Sequence, residues 1–261
     1  MIRRGPTSWC GVGRWDVATG RYEHGAWLRG RIYPQRCDLS PGGKWLCYFA
    51  LQPSAKWELG WTYVAVSRLP WLYALAAWRT DGTWTRGAHF ADDPAVREIA
   101  PPDNGSLPYD LLSAGMAVTR AATYEVKRRR GWVEAEGSPP RAPTDAWDER
   151  RAESLRMVKP RPASGGAVRL EVSGGYAAFR SGGFSTNVSY RVVDAGQAVA
   201  LPGVQWADWA RDGRLLVATA AGQLETRGAG SWLTADLIVA DLAHDEPTLT
   251  AAPPEAHRWE P

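Results

Sequence analysis

The chain has 261 residues, 44% of them hydrophobic, with 15 Trp, 9 Tyr and 4 Phe, which supplies a sizeable core and excludes a disordered chain. Its net charge is only +3, with both signs interspersed, which argues against a nucleic-acid or membrane surface as partner. The 27 Gly and 19 Pro call for many turns, as a chain of short strands requires.

The first element in chain order is a strand ending in Asp, a turn and a second strand, Trp15-Asp-Val-Ala-Thr-Gly-Arg-Tyr22. Asp38-Leu-Ser-Pro-Gly-Gly-Lys-Trp-Leu-Cys-Tyr-Phe49 is a hairpin of another kind, with Gly closing the turn before an apolar run. Ala77-Trp-Arg-Thr-Asp-Gly-Thr-Trp84 turns on Asp-Gly, Tyr109–Thr119 turns near 114, and Glu125-Val-Lys-Arg-Arg-Arg-Gly-Trp-Val-Glu134 turns near 130. Residues 137–166, rich in Pro and charge, read as a surface insertion in which Thr144 or Asp145 caps a short helix. Val168–Phe179 turns near 174, and Val192–Val199 turns near 195. Asp208-Trp-Ala-Arg-Asp-Gly-Arg-Leu-Leu-Val-Ala-Thr219 then repeats the pattern of Asp38–Phe49, and Ala240–Pro247 repeats that of Trp15–Tyr22. A Pro-rich tail follows at 252–261.

Two kinds of hairpin therefore alternate, at roughly 50–65 residues per pair, as the two halves of propeller blades do. The expected architecture is all-β: one β-propeller domain over 1–261, of about five four-stranded blades, with a β-sandwich as the alternative. Ser40-Pro-Gly-Gly-Lys-Trp-Leu and Ala210-Arg-Asp-Gly-Arg-Leu-Leu resemble the Ser-Pro-Asp-Gly-Lys turn of TolB-type and WD-repeat-like bacterial propellers, with Gly42 where that turn has Asp. Trp15-Asp-Val-Ala-Thr-Gly resembles the strand that closes a blade in those families. The resemblance implies a scaffold or ligand-binding ring and specifies no chemistry.

The residues themselves offer little chemistry. His24, His89, His244 and His257 are scattered without metal-ligand spacing, so no metal and no cofactor is expected. Lys127-Arg-Arg-Arg130 falls on a predicted tight turn and reads as a solvated tip, with a phosphate contact as the alternative. Asp92-Asp93 and the repeated Asp38 and Asp208 invite a glycan hydrolase, but equivalent places in two repeats suit a structural bond better. Cys10, Cys37 and Cys47 are odd in number and lack C-x-x-C spacing, which suits reduced thiols in a cytoplasmic protein. A strained bridge between Cys37 and Cys47 across their turn is the alternative. No stretch is a signal peptide or a membrane span.

Most Trp residues, among them Trp15, Trp45, Trp61, Trp78, Trp206, Trp209 and Trp232, fall in or beside predicted strands and are expected to fill the space between blades. Trp57 differs, lying in a loop with Lys56 and Glu58 that shares a face with the crossing Tyr22–Arg36. Trp57 with Tyr33, Arg31, Arg36 and His24 is therefore the candidate binding surface. The leading function is a non-enzymatic scaffold that holds a protein partner, with a glycan-active hydrolase or a sugar-binding lectin as rivals.

Overall fold

A computed structural model describes residues 1–5, 8–53, 60–80, 82, 88–90, 118–120, 125–136, 155–162, 164–174 and 188–258. Their strands lie in five antiparallel sheets, each built from segments adjacent in the chain, and the architecture is all-β.

The first sheet is a meander of β1 (Ile2–Arg4), β2 (Trp9–Asp16) and β3 (Arg21–Arg29). The Asp16 carboxylate accepts from the N–H groups of Ala18 and Thr19 and sets the expected turn. The expected crossing at 22–36 is mostly strand, because β3 runs to Arg29 and the single residue Gly30 leads into the next sheet. Gly25 looks like a breaker in sequence but marks a close approach. Ala26 N–H donates to the Pro70 carbonyl at 3.0 Å, and a Cβ at Gly25 would stand 2.1 Å from that oxygen.

The second sheet holds β4 (Arg31–Ile32), β5 (Asp38–Leu39), β6 (Trp45–Leu51), β7 (Thr62–Arg68) and β8 (Ala74–Arg79). β4 and β5 pair with opposite ends of β6, so they are one edge strand interrupted by a 3₁₀ turn at Pro34–Arg36. β6 is buried on both faces. Leu46, Tyr48 and Ala50 join Cys10 and Val12 in one cluster against the first sheet, while Trp45, Cys47 and Phe49 join Ala88 and Phe90 in another against the third. All three cysteines are free and buried. Asp38, not Cys37, stands opposite Cys47 in the ladder, so the expected alternative of a bridge is not realised.

The third sheet contains β9 (Ala88–Phe90) and β10 (Val118–Arg120). The expected hairpin over 125–134 is instead a short helix, α1 (Glu125–Arg129), closed by Gly131 at φ 83°. Gly131 N–H bonds to Arg128 O and Trp132 N–H to Lys127 O, the bonding of a left-handed helix stop.

The fourth sheet runs β11 (Val133–Glu134), β12 (Leu155–Pro160), β13 (Val168–Gly174), β14 (Val188–Asp194) and β15 (Gln197–Ala200). β12 belongs to the expected insertion, and its Met157 is fully buried, so the sheet claims the insertion's C-terminal part. Thr144 and Asp145, the expected caps, lie outside the described residues. β13 continues through the expected turn near 174, since Gly174 pairs with Val188. The turn at Ala195-Gly196 is as expected, with both residues at positive φ as a two-residue hairpin needs.

The fifth sheet is β16 (Val204–Trp209), β17 (Leu215–Thr219), β18 (Gln223–Arg227) and β19 (Leu237–Asp241). Leu170, Val172, Val192, Leu215 and Val217 are fully buried between it and the fourth, with Trp209 and Trp232 edge to face at 5.6 Å. Burying each such aliphatic side chain contributes about 1.5–3 kcal/mol. Ala218, Leu224 and Leu242 pack with Met1, Trp15 and Tyr22, so the last sheet lies against the first.

Among the described residues no strand follows the turn near 244. The chain instead crosses the first sheet, where Arg3 donates to the carbonyls of Leu242 and, at 2.6 Å, Asp245. It ends on the second sheet with Ala256 buried, His257 stacked on Tyr73 at 3.9 Å, and Arg68 donating to Glu255 O at 2.8 Å. Residues 242–258, which include the described part of the expected Pro-rich tail, thus form a strap that runs from the fifth sheet over the first to the second.

Candidate functional site

The two repeats place their aspartates alike. Asp38 Oδ1 accepts from Leu39 N–H at 2.8 Å and from Arg130 at 2.6 Å, while its Oδ2 accepts from Phe90 N–H at 3.1 Å. Asp208 Oδ1 accepts from Trp209 N–H at 2.7 Å and from Lys159 Nζ at 2.6 Å. Each carboxylate fixes its own strand and takes a cation from a neighbouring element, so neither is a free acid or base. Asp92 and Asp93 lie outside the described residues.

The basic run lies on and just after a short helix rather than on a hairpin tip, and its side chains are engaged by neighbouring elements. Arg130 reaches Asp38 and Leu39 O, Arg129 donates to Phe90 O at 2.9 Å, and Arg128 pairs with Glu134. Lys127 sits 4.6 Å over the Trp132 ring. Burial pushes its ammonium down to about 8, against the pull of Asp208 and with the repulsion of Lys159. Three of the four cations thus tie α1 to the second, third and fourth sheets.

The described candidate residues separate into three places. Arg36 lies over Tyr33 at 5.1 Å and over Phe49 at 4.8 Å, which makes it a half-buried packing cation. Burial is the main cause that lowers its pKa. His24 is in β3, edge to face with Tyr22 at 5.0 Å, with Nδ1 3.4 Å from Asp245 Oδ2 on the strap. Burial first, then the Asp245 charge, pushes Tyr22 up to about 12. Arg31 is exposed at the start of β4, and Trp57 lies outside the described residues.

The surroundings of Arg31 are not apparent in the sequence. Arg31 pairs with Leu51, Leu51 with Thr62, and Tyr63 with Arg79, so Arg31 and Arg79 stand at the same end of the second sheet. Arg4 pairs with Cys10 and Arg29 with Trp9 at one end of the first sheet, and Gly30 joins Arg29 directly to Arg31. All four arginines are exposed. Among the described residues, none of the four has an ion-pair or side-chain hydrogen-bond partner.

Trp61 stands at this end, 68% exposed, rather than filling an inter-sheet wedge as expected. It precedes β7, and Gln52 N–H donates to its carbonyl at 2.8 Å, so its position lies beyond the last ladder pair. Its described neighbours are tied by hydrogen bonds. The Thr62 hydroxyl donates to Thr80 O at 3.0 Å, and Tyr63 Oη donates to Gln52 Oε1 at 2.9 Å. Trp206 is also partly exposed, at 38%, whereas Trp45, Trp78, Trp209 and Trp232 are buried as expected.

Among the described residues no group of three or more His, Cys, Asp or Glu is placed to hold a metal ion, and no helix is long and apolar enough to cross a membrane. No protein-family model, no curated protein and no solved structure matches the chain.

Proposed function

We propose that this chain is a propeller-type scaffold, similar in plan to TolB-type and WD-repeat-like rings, that holds a protein partner at the shared end of its first and second sheets. The ring reading draws on packing order: each of four apolar clusters joins sheets consecutive in the chain or the last to the first. The repeated roles of Asp38 and Asp208 favour it too. A cytoplasmic setting agrees with three free, buried thiols.

One observation carries the binding reading. Trp61 is a large ring turned to solvent on a backbone that hydrogen bonds hold still. Rigid, exposed aromatics beside arginine are the commonest anchors of protein interfaces, because little ordering entropy is lost when they are covered. The test is capture by the immobilised full chain of proteins from its own cell lysate, quantified by mass spectrometry. Trp61→Ala is expected to weaken the dominant stoichiometric partner by about 2 kcal/mol, roughly thirtyfold in Kd. Trp206→Ala, the control, is expected to leave it in place. A partner held equally well by the Trp61 variant, or lost equally with both, overturns the reading.

A further inference from the structure

Resting on that reading, we infer that the partner presents an acidic, extended segment with an apolar residue for Trp61, and that Arg4, Arg29, Arg31 and Arg79 are its receptors. The inference begins with charge. Four guanidinium groups share one end of two adjoining sheets without an ion pair or side-chain hydrogen bond, while Arg128, Arg130, Arg169, Arg191, Arg214 and Arg227 are all salt-bridged. No described acidic residue lies on that end: Asp16 and Glu23 are at the far end of the first sheet, and Glu255 meets Arg68 at the far end of the second. The surface keeps an excess of positive charge in a molecule whose total is only +3.

Geometry sets the shape of the occupant. Neighbouring strands lie about 4.8 Å apart, so Arg31 and Arg79, three strands apart, are separated by about 14 Å. Arg29 lies next to Arg31 across Gly30, and Arg4 is two strands from Arg29 at the same end of the first sheet. An extended chain advances about 3.3 Å per residue, so about four residues span Arg31 to Arg79. Carboxylates along such a segment meet planar guanidinium forks that accept them two oxygens at a time. A nucleic acid would meet the same charges but needs a run of rings for successive bases. Among the described residues Trp61 is the one exposed ring at this end, and the balanced charge of the whole chain gives a polyanion little else to follow. The protein segment is the better fit.

The experiment is fluorescence anisotropy on the full chain with three labelled probes. One is a peptide of about twelve residues with Phe at every fourth position and Glu between; the second replaces every Glu with Gln; the third is an oligodeoxythymidylate of similar length. The Glu peptide is expected to bind at least tenfold more tightly than the Gln peptide, and to weaken about tenfold when salt rises from about 50 mM to about 500 mM. Arg29→Glu with Arg31→Glu should abolish binding, and Arg29→Gln with Arg31→Gln should reduce it about tenfold. Equal binding of the Glu and Gln peptides, or insensitivity to both double variants, overturns the acidic assignment, as does tighter binding of the oligonucleotide. If that happens while Trp61-dependent capture persists, the scaffold reading stands and only the partner's chemistry is wrong. Peptide binding that survives while Trp61 dependence is lost strikes the scaffold reading instead.

Discussion

Two regions of this molecule are rich in arginine, and they use it in opposite ways. Lys127–Arg130 is contiguous in sequence, yet its charges turn inward: Arg130 meets Asp38, Arg129 meets the Phe90 carbonyl, and Lys127 lies over Trp132. Arg4, Arg29, Arg31 and Arg79 are scattered over 76 positions, yet strand register brings them to one end of two sheets and leaves them facing solvent. A charge run in sequence is therefore not a charged surface. A cation is committed when a buried carboxylate or carbonyl lies within reach, and stays available for a partner when none does.

The sharpest way to break this contrast is to remove the carboxylate on which α1 is anchored. Asp38→Ala strips Arg130 of its partner and leaves the Phe90 N–H, bonded in a buried site, without an acceptor. An unsatisfied buried donor costs about 1–3 kcal/mol, and losing the charge-assisted bond adds to it, so about 3 kcal/mol should be lost in a urea titration. A loss below about 0.5 kcal/mol would mean the clamp is ornamental.

A smaller effect separates Lys127 from its neighbours. Its folded pKa of about 8 lies below the usual lysine value of 10.5, so between those values the unfolded chain binds the proton more readily. Burial of the charge thus costs stability below about pH 8, and the cost is relieved as pH rises toward 10.5. Buried thiols work the other way: burial raises Cys10 to about 11 and Cys37 to about 12, so stability is lost as pH climbs past about 9. Subtraction isolates the lysine. The stability of the natural chain minus that of Lys127→Met should rise between pH 8 and 10.5, and a flat difference would place Lys127 in water.

Much of the fold is legible in sequence because local rules set it. The turns at 19, 42, 195 and 212 announce themselves through Gly, Asp and the apolar runs that follow, and the matching Asp38 and Asp208 have the structural bonds their equivalence suggests. The site is less legible, since only pairing between distant segments creates it. Arg31 is found by its chain position, but Arg4, Arg29 and Arg79 need the ladder registers of three strand pairs. Trp61 misleads because one position separates a ring that packs between sheets from one that stands beyond the last rung.

The smallest expected effect bears most directly on the contrast. Arg29→Glu and Arg31→Glu remove two cations that no ion pair or side-chain hydrogen bond holds, so the double variant should change unfolding stability by less than about 0.5 kcal/mol. Removing like charge from a solvent-exposed end changes stability by about 0–1 kcal/mol, as exposed charges do. A neutral or slightly stabilising outcome fits arginines kept for something other than folding. A loss of more than about 1 kcal/mol would show that these arginines, like those of α1, serve the fold, and the division between committed and available charge would fail.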